Sequence, residues 1–290
     1  MARPGASTNP FRLSAASPRS SSQKTLANVS LAIIGLAFVI PLAWLVLASF
    51  DRSATLTAKL PQPFTFHNYG AVATRSITGL PMINSVVLST MSAVVTVAVS
   101  ILAAYPLSRY RMRYNKAFLY GVLFGTCLPI TAMMVPVYSL FVRLNLLDST
   151  WGTGLFLGAT QLPMAIFMTK NFMDSVPISL EEAAWVDGAS AMRALRSVVV
   201  PLMRPGIAVV FIFNFVGAWG NFFVPFILLL SPEKEPASVS IFTFFGQYGA
   251  VAYGQLAAFS ILYSLPVLFL YVLVQRFIGG SFLMSGAVKG

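Results

Sequence analysis

Negative charge is what this sequence has least of. Eight Asp and Glu residues stand against 19 Lys and Arg in 290 residues, and charged residues of both signs make up only 9%. Cysteine and histidine are almost missing as well. Cys127 is the one cysteine, so no disulfide can form within the chain. His67 is the one histidine, so neither a metal cluster nor a Ser/His/Asp triad of normal spacing can be assembled. A Gly-x-x-x-x-Gly-Lys-Ser/Thr phosphate loop is absent, which argues against ATP being bound by this chain. An enzyme would have no catalytic cluster to work with.

What is present is apolar length. The chain is 57% hydrophobic with a mean hydropathy of +0.78, too apolar for an ordinary soluble domain. A bilayer-spanning helix needs about 20 mostly apolar residues, and charge-free intervals supply that length repeatedly. They run from Lys24 to Asp51, Arg75 to Arg109, Lys116 to Arg143, Ser149 to Thr169, Pro205 to Pro232 and Pro236 to Gln275. The polar stripe of a soluble helix is largely missing from them. The reading is an all-α integral membrane protein with six transmembrane helices.

Six spans sort the basic residues into two sets. One set holds Arg3, Arg12, Arg19, Lys24, Arg109, Arg111, Arg113, Lys116, Lys170, Arg193, Arg196, Arg204, Arg276 and Lys289; the other holds Arg52, Lys59, Arg75, Arg143 and Lys234. That asymmetry, fourteen against five, places both termini in the cytoplasm. The net charge of +11 therefore records topology, and no nucleic-acid partner is expected. Residues 1–25 are rich in Ser, Pro and Arg and read as a disordered basic cytoplasmic tail. The apolar run that follows is too long for a signal peptide and reads as an uncleaved first span. Residues 26–290 then form a single transmembrane domain, ending in a short cytoplasmic tail from about residue 279.

The spans are expected near Leu26–Phe50, from Pro81 to Tyr105–Pro106, Ala117–Tyr138, Gly152–Met173, Pro205–Leu230 and Leu256–Ile278. Pro129 and Pro136 are expected to kink the third by removing helix hydrogen bonds. The aromatic stretch between the last two reads as an external or re-entrant segment.

Half of the eight acids, Asp174, Glu181, Glu182 and Asp187, fall in the loop after the fourth span, about residues 174–204. Ser179 and Glu182 have the spacing of a capping box, and acids in a first turn offset the helix dipole. Leu180, Ala183, Ala184 and Asp187 share a helical face. Gly188 fits a left-handed helix stop, Ser190 can cap a second helix, and Pro201 is expected to end it. The residues alone leave two readings of this helix–Gly–helix hairpin: a self-contained amphipathic connector lying on the membrane, with Glu181 and Glu182 serving only as caps, or a contact for a protein partner.

Glu182-Ala183-Ala184, three residues, Gly188, nine residues and then Val198-Val199-Val200-Pro201 resembles the EAA loop of bacterial ABC importer permeases. Valines stand where the family usually has Ile and Leu. The resemblance extends to NSVVLS (Asn84–Ser89), AAYPLSRY (Ala103–Tyr110), LPITAMMVPVY (Leu128–Tyr138), LNLLDSTWG (Leu144–Gly152), VPLMRPG (Val200–Gly206) and GAVKG (Gly286–Gly290). Together they look like the six-span subunit of the maltose-type permease pair, in the carbohydrate branch with its type I importer fold. The resemblance implies alternating access driven by two separate ATP-binding subunits, which hold the ATP and magnesium. It also implies a second permease subunit, an extracytoplasmic solute-binding protein and a place in a bacterial plasma (inner) membrane. Glu181, Glu182, Ala183, Ala184, Asp187, Gly188 and Pro201 are then the ATPase-coupling residues, with Gly286 and Lys289 of the tail as a further ATPase contact. No cofactor or metal is expected on this chain itself.

Asn214, Gly217, Ala218 and Asn221 recur at helical spacing in the fifth span. Amides there can line a path for a hydroxyl-rich solute, or join helices that pack through small residues. Met134 and Tyr138 beside the third span's prolines are further path candidates, as are Gln247, Tyr248 and Tyr253 for an outer contact. Trp219-Gly220-Asn221-Phe222 departs from the family's usual Trp-Asn-Glu-Phe, with an amide in the acidic position. The expected function is import of a sugar or oligosaccharide, with a polyol, glycerol phosphoester or other non-sugar solute as the alternative. A non-transporting membrane scaffold is the reading from another class. A secondary transporter is disfavoured because the charge-free intervals of the spans leave no intramembrane carboxylate, Arg or Lys for ion coupling.

Overall fold

The computed structural model describes residues 21–57, 59–246 and 251–286, with side-chain surroundings from residue 24 to residue 275 within them. The expected tail over residues 1–20 lies outside the described residues. So do Gln247, Tyr248, Lys289 and the end of the GAVKG motif. Contacts divide the chain into two units, 1–45 and 46–290. Most of α1 (Ser21–Ser49) belongs to the first, and Lys24–Ser49 is long and apolar enough to cross a membrane.

The second unit is a helical assembly, and its described residues form no strand, only isolated bridges. A short α2 (His67–Val72) and a π-helical turn at Arg75–Gly79 lead into α3 (Leu80–Arg109). Pro81 sits in the first turn of α3, where its missing N–H costs nothing. At 30 residues α3 is about 45 Å long and forms the axis of the unit. Its faces are inverted relative to a soluble helix. Ser85, Ser89, Ser92, Thr96 and Ser100 are buried, while Val86, Val87, Val94 and Leu102 are exposed. Lipid tails are as apolar as leucine, so in a membrane the small polar face is the one that packs.

Packed along that face is α6 (Thr150–Asp174). The Thr96 hydroxyl donates to the Gly158 carbonyl at 3.1 Å, and Ser100 and Thr169 share a hydroxyl–hydroxyl bond at 3.0 Å. Between these helices the chain runs through α4 (Asn115–Phe124) and α5 (Ile130–Arg143), which meet at an 89° bend. Pro129 stands at that bend as the residue before α5, and Pro136 lies within α5. The expected kink is therefore a break at Pro129.

After α6 come α7 (Ile178–Val186), α8 (Ala191–Ala194), a π-helical turn at Leu195–Val199 and α9 (Val200–Leu202). An 81° bend at Met203 then turns the chain into α10 (Arg204–Trp219). Pro201 is inside this helical run and does not end it; the stop comes two residues later, at Met203. The preceding π turn accommodates the N–H that proline lacks. The expected fifth span is also shorter than its apolar run, because the helix stops at Trp219 and restarts as α11 (Phe223–Leu228). The Asn221 side chain accepts the Val224 N–H at 3.0 Å and so caps the restart. Beyond it lie α12 (Ala237–Ser240) and α13 (Tyr253–Gly286).

Three described helices are long and apolar enough to cross a membrane, and two bent pairs raise that to five. The expected span outside these five is the fourth, α6, long enough at 25 residues but less apolar. Its Thr153 and Thr169 are buried, so it does not need an apolar surface all round.

Candidate functional site

The acidic hairpin is built from local rules that can be followed residue by residue. Pro177, with extended backbone (φ −57°, ψ 129°), precedes α7, so the helix starts at Ile178 and Ser179 lies in its first turn. No side chain caps this end, and the expected Ser179–Glu182 capping box does not form. At the other end Gly188 has φ +82°, donates to the Trp185 carbonyl at 3.0 Å, and leaves Ala189 to bond the Ala184 carbonyl at 2.9 Å. That pair of bonds is the Schellman stop, and its left-handed residue strains any side chain but glycine's. Ser190 then accepts from the Arg193 N–H at 3.4 Å and caps α8 as expected.

The hairpin has two sides. Toward the bundle, Leu195, Val199 and Met203 pack with Ala104, Tyr105, Met173 and Val176. Away from it, Glu182, Ala183, Trp185, Val186, Asp187 and Gly188 are exposed, with Ala184 half-buried. Val186 is 88% exposed at the tip and Met192 60%. Met192 turns outward, although Leu195 and Val199 of the same helical run are buried. Exposed apolar side chains rimmed by acids at a tight turn form a knob suited to contact with another surface.

Glu181 is the exception among the hairpin acids, since it is fully buried. Its Oε2 accepts from Arg109 Nε at 2.7 Å, and its Oε1 accepts from the Tyr105 hydroxyl. Arg109 Nη2 also donates to the Val176 carbonyl at 3.3 Å. Beside this pair Asp174 accepts from Ser108 at 2.6 Å and is paired with Lys170 at 2.5 Å. The Arg109 end of α3, the end of α6 and the start of α7 are thus held by one polar network.

Against known families, residues 96–280 match the model described as binding-protein-dependent transport system inner membrane component. The chain belongs to that family. It is similar to the diacetylchitobiose uptake system permease protein NgcG of Streptomyces coelicolor, 30% identical over 90% of this chain and 89% of that one. It is also similar to the sulfoquinovosyl glycerol transport system permease protein SmoH of Agrobacterium fabrum, 32% identical over 93% of this chain and 95% of that one. The fold resembles a chain from the crystal structure of a bacterial ABC transporter that imports the acidic polysaccharide alginate. That match has a TM-score of 0.76 at 23% identity and covers 90% of this chain and 99% of that one. The molecule is an inner-membrane transport permease, a membrane subunit and not an enzyme.

In this permease the expected path residues divide. Gly217 and Asn221 line a groove of about 570 Å³ between α6 and α10, together with Thr160, Gln161, Met164 and Phe213. A Cβ at residue 217 would lie 2.4 Å from Gln161 Oε1, so the glycine makes room for that amide. Ala218 and Met134 face the other way, into a core with Leu88, Leu157 and Leu228. Asn214 is buried, with its Nδ2 bonded to the Val210 carbonyl at 2.7 Å. Tyr138 is exposed on α5, and Tyr253 sits at the start of α13 among the residues lining an outer pocket. Gly286 ends α13.

Sequence reasoning gives Arg109 and Tyr105 no role beyond a loop charge, a span end and the AAYPLSRY motif, and misses their pairing with Glu181. It also missed Gln161, a lone amide within a charge-free run, and Val186, whose exposure depends on the Gly188 turn.

A second polar network lies at the Leu80 end of α3. Asp148 accepts from the Leu230 and Ser231 N–H groups at 2.9 and 3.0 Å, from the Ser231 hydroxyl at 2.5 Å and from Lys234 at 2.8 Å. Lys234 first, then the Ser231 hydroxyl and amide, hold its carboxyl well below the ordinary carboxylate range. Asn84 on α3 adds bonds to the Glu233 and Glu235 carbonyls at 2.7 and 3.1 Å.

Proposed function

We propose that this permease subunit imports a sugar or oligosaccharide by alternating access, driven by separate ATP-binding subunits that dock on the hairpin. The observation that carries this reading is the knob around Gly188. Val186 and Trp185 offer apolar contact, Glu182 and Asp187 offer charge, and Ala183 and Ala184 allow close approach, all on a turn with defined geometry. A connector lying on the membrane would segregate acids from its apolar face, whereas here Glu182 stands one turn from Val186 on the same face. In this reading both termini are cytoplasmic, a second permease completes the path, and a solute-binding protein delivers cargo from outside. Gly286 and Lys289 remain candidate contacts of the tail with the ATPase.

The α6–α10 groove supports the carbohydrate class. Gln161, Asn221 and Thr160 place amide and hydroxyl groups among Met164, Phe213 and Val216, a mixture that suits sugar hydroxyls and apolar ring faces. The names of the relatives, a diacetylchitobiose system and a sulfoquinovosyl glycerol system, point to glycoside cargo.

The test is uptake into proteoliposomes holding the complete complex. The probes are labelled diacetylchitobiose, sulfoquinovosyl glycerol and maltotriose, each offered with the binding protein. ATP-dependent uptake of at least one probe is expected. Gly188→Asp is expected to insert normally and to abolish uptake and binding-protein-stimulated hydrolysis. Normal uptake by that variant would sink the docking reading.

A further inference from the structure

A fully buried carboxylate on a hairpin otherwise turned outward calls for an explanation. Burying an ion pair does not by itself stabilise a fold over an apolar pair of similar shape, because desolvation offsets the attraction. What such a pair supplies is a fixed geometry. Glu181 gives one oxygen to the Tyr105 hydroxyl and the other to Arg109 Nε. Tyr105 and Arg109 are four residues apart and therefore neighbours on one face of α3. One hydrogen bond would allow the hairpin to pivot; two, from separate points on the same helix to the two oxygens of one carboxyl, do not.

Apart from the Ser108–Asp174 bond at 2.6 Å, the remaining side-chain contacts of the hairpin with α3 and α6 are of another kind. Leu195, Val199 and Met203 meet Ala104, Met173 and Val176 through apolar surface, which tolerates sliding. Arg109 adds its bond to the Val176 carbonyl, just before α7 begins, so one guanidinium holds both the entry to the hairpin and its first turn. Its side chain is 2% exposed.

We infer that Tyr105, Arg109 and Glu181 form the joint through which displacement of the hairpin becomes rotation of α3. Glu181 is thereby a positioning residue, and the docking contacts are left to the exposed Glu182, Val186 and Asp187. The inference rests on the hairpin being the docking element.

The experiment compares Glu181→Gln, Tyr105→Phe and the double variant Glu181→Gln/Arg109→Gln with wild type in the reconstituted complex. The reading is solute moved per ATP hydrolysed, using whichever probe the wild type transports, alongside the amount of ATPase subunit that co-purifies. Glu181→Gln is expected to retain the ATPase at wild-type stoichiometry while transport per ATP falls about fivefold or more, the low end for a coupling between two sites. Tyr105→Phe, which keeps the ion pair, falls less. The double variant removes the unpaired buried charge, so it regains thermal stability, but its transport per ATP stays low. Recovery of transport per ATP together with stability in the double variant would reduce the pair to a fold contact and overturn the joint. Loss of the ATPase subunit from Glu181→Gln would overturn it too, by placing Glu181 in the docking surface. A wild-type complex that hydrolyses ATP but moves none of the probes overturns the functional reading itself, and the joint with it.

Discussion

Polar networks close both ends of α3, and they differ in one physical respect. At the hairpin end the ion pair is sealed, with the Arg109 and Glu181 side chains 2% and 0% exposed. At the opposite end Lys234 and Asp148 are 43% and 25% exposed and remain in contact with solvent. The sealed pair joins two long-range partners through their side chains, with one further bond from Arg109 to the Val176 carbonyl. The open one joins a carboxylate mainly to backbone, through the Leu230 and Ser231 amides and the reciprocal Asp148 N–H to Leu228 carbonyl bond at 2.8 Å. Charge that is sealed must keep its partner, whereas charge that is open can exchange it for water. The hairpin end is therefore the stiff and vulnerable one, and the opposite end the tolerant one.

The sharpest way to break this contrast is Arg109→Ala. It leaves Glu181 buried without its cation, and such truncations cost about 3–5 kcal/mol. Thermal unfolding of the purified complex in detergent should show a large drop, and a drop no bigger than that of an exposed residue would erase the contrast. Asp148→Asn comes next. It keeps an oxygen for the backbone amides but loses the charge facing Lys234, and an exposed pair contributes less than about 1 kcal/mol. Its unfolding transition should stay near that of wild type. Acid gives the smallest effect. The Asp148 carboxyl is held below its ordinary value, so its contribution is complete above that value and is lost only as pH falls further. Between pH 5 and pH 8 stability should owe nothing to Asp148 titration, and the pH dependence of wild type and Asp148→Asn should diverge only below about pH 4. Divergence near neutral pH would show that the carboxyl is not held down.

Local chemistry was readable from sequence, and distant pairing was not. Gly188 and Ser190 behave as their residue types require, because a left-handed stop and a side-chain cap depend only on their neighbours. Pro129 marks a break for the same reason. Ser179 fails as a cap because Pro177 sets the helix start two residues earlier. The role of Glu181 could not be read locally, since Arg109 lies 72 residues away in sequence. A signal for it did exist. Two consecutive glutamates on a short helix point about 100° apart, so their surroundings can differ, and Arg109 ends a long helix with a buried seryl face. The stop at Trp219 was hidden within an apolar run that looks continuous by composition, and only the Asn221 bond to Val224 reveals it.

The π turn at Leu195–Val199 has a consequence of a different kind. Such a turn holds one residue more than an α-helical turn, so it behaves as a single inserted residue in the helix. Each residue of an α-helix advances the chain by about 100° around its axis. Deleting one residue within Leu195–Val199 would restore the α-helical ladder and leave the Gly188 knob facing as it does, whereas deleting one from α8 would swing it by that angle. The π turn thus holds one residue that this permease could lose there without changing the direction in which its knob points.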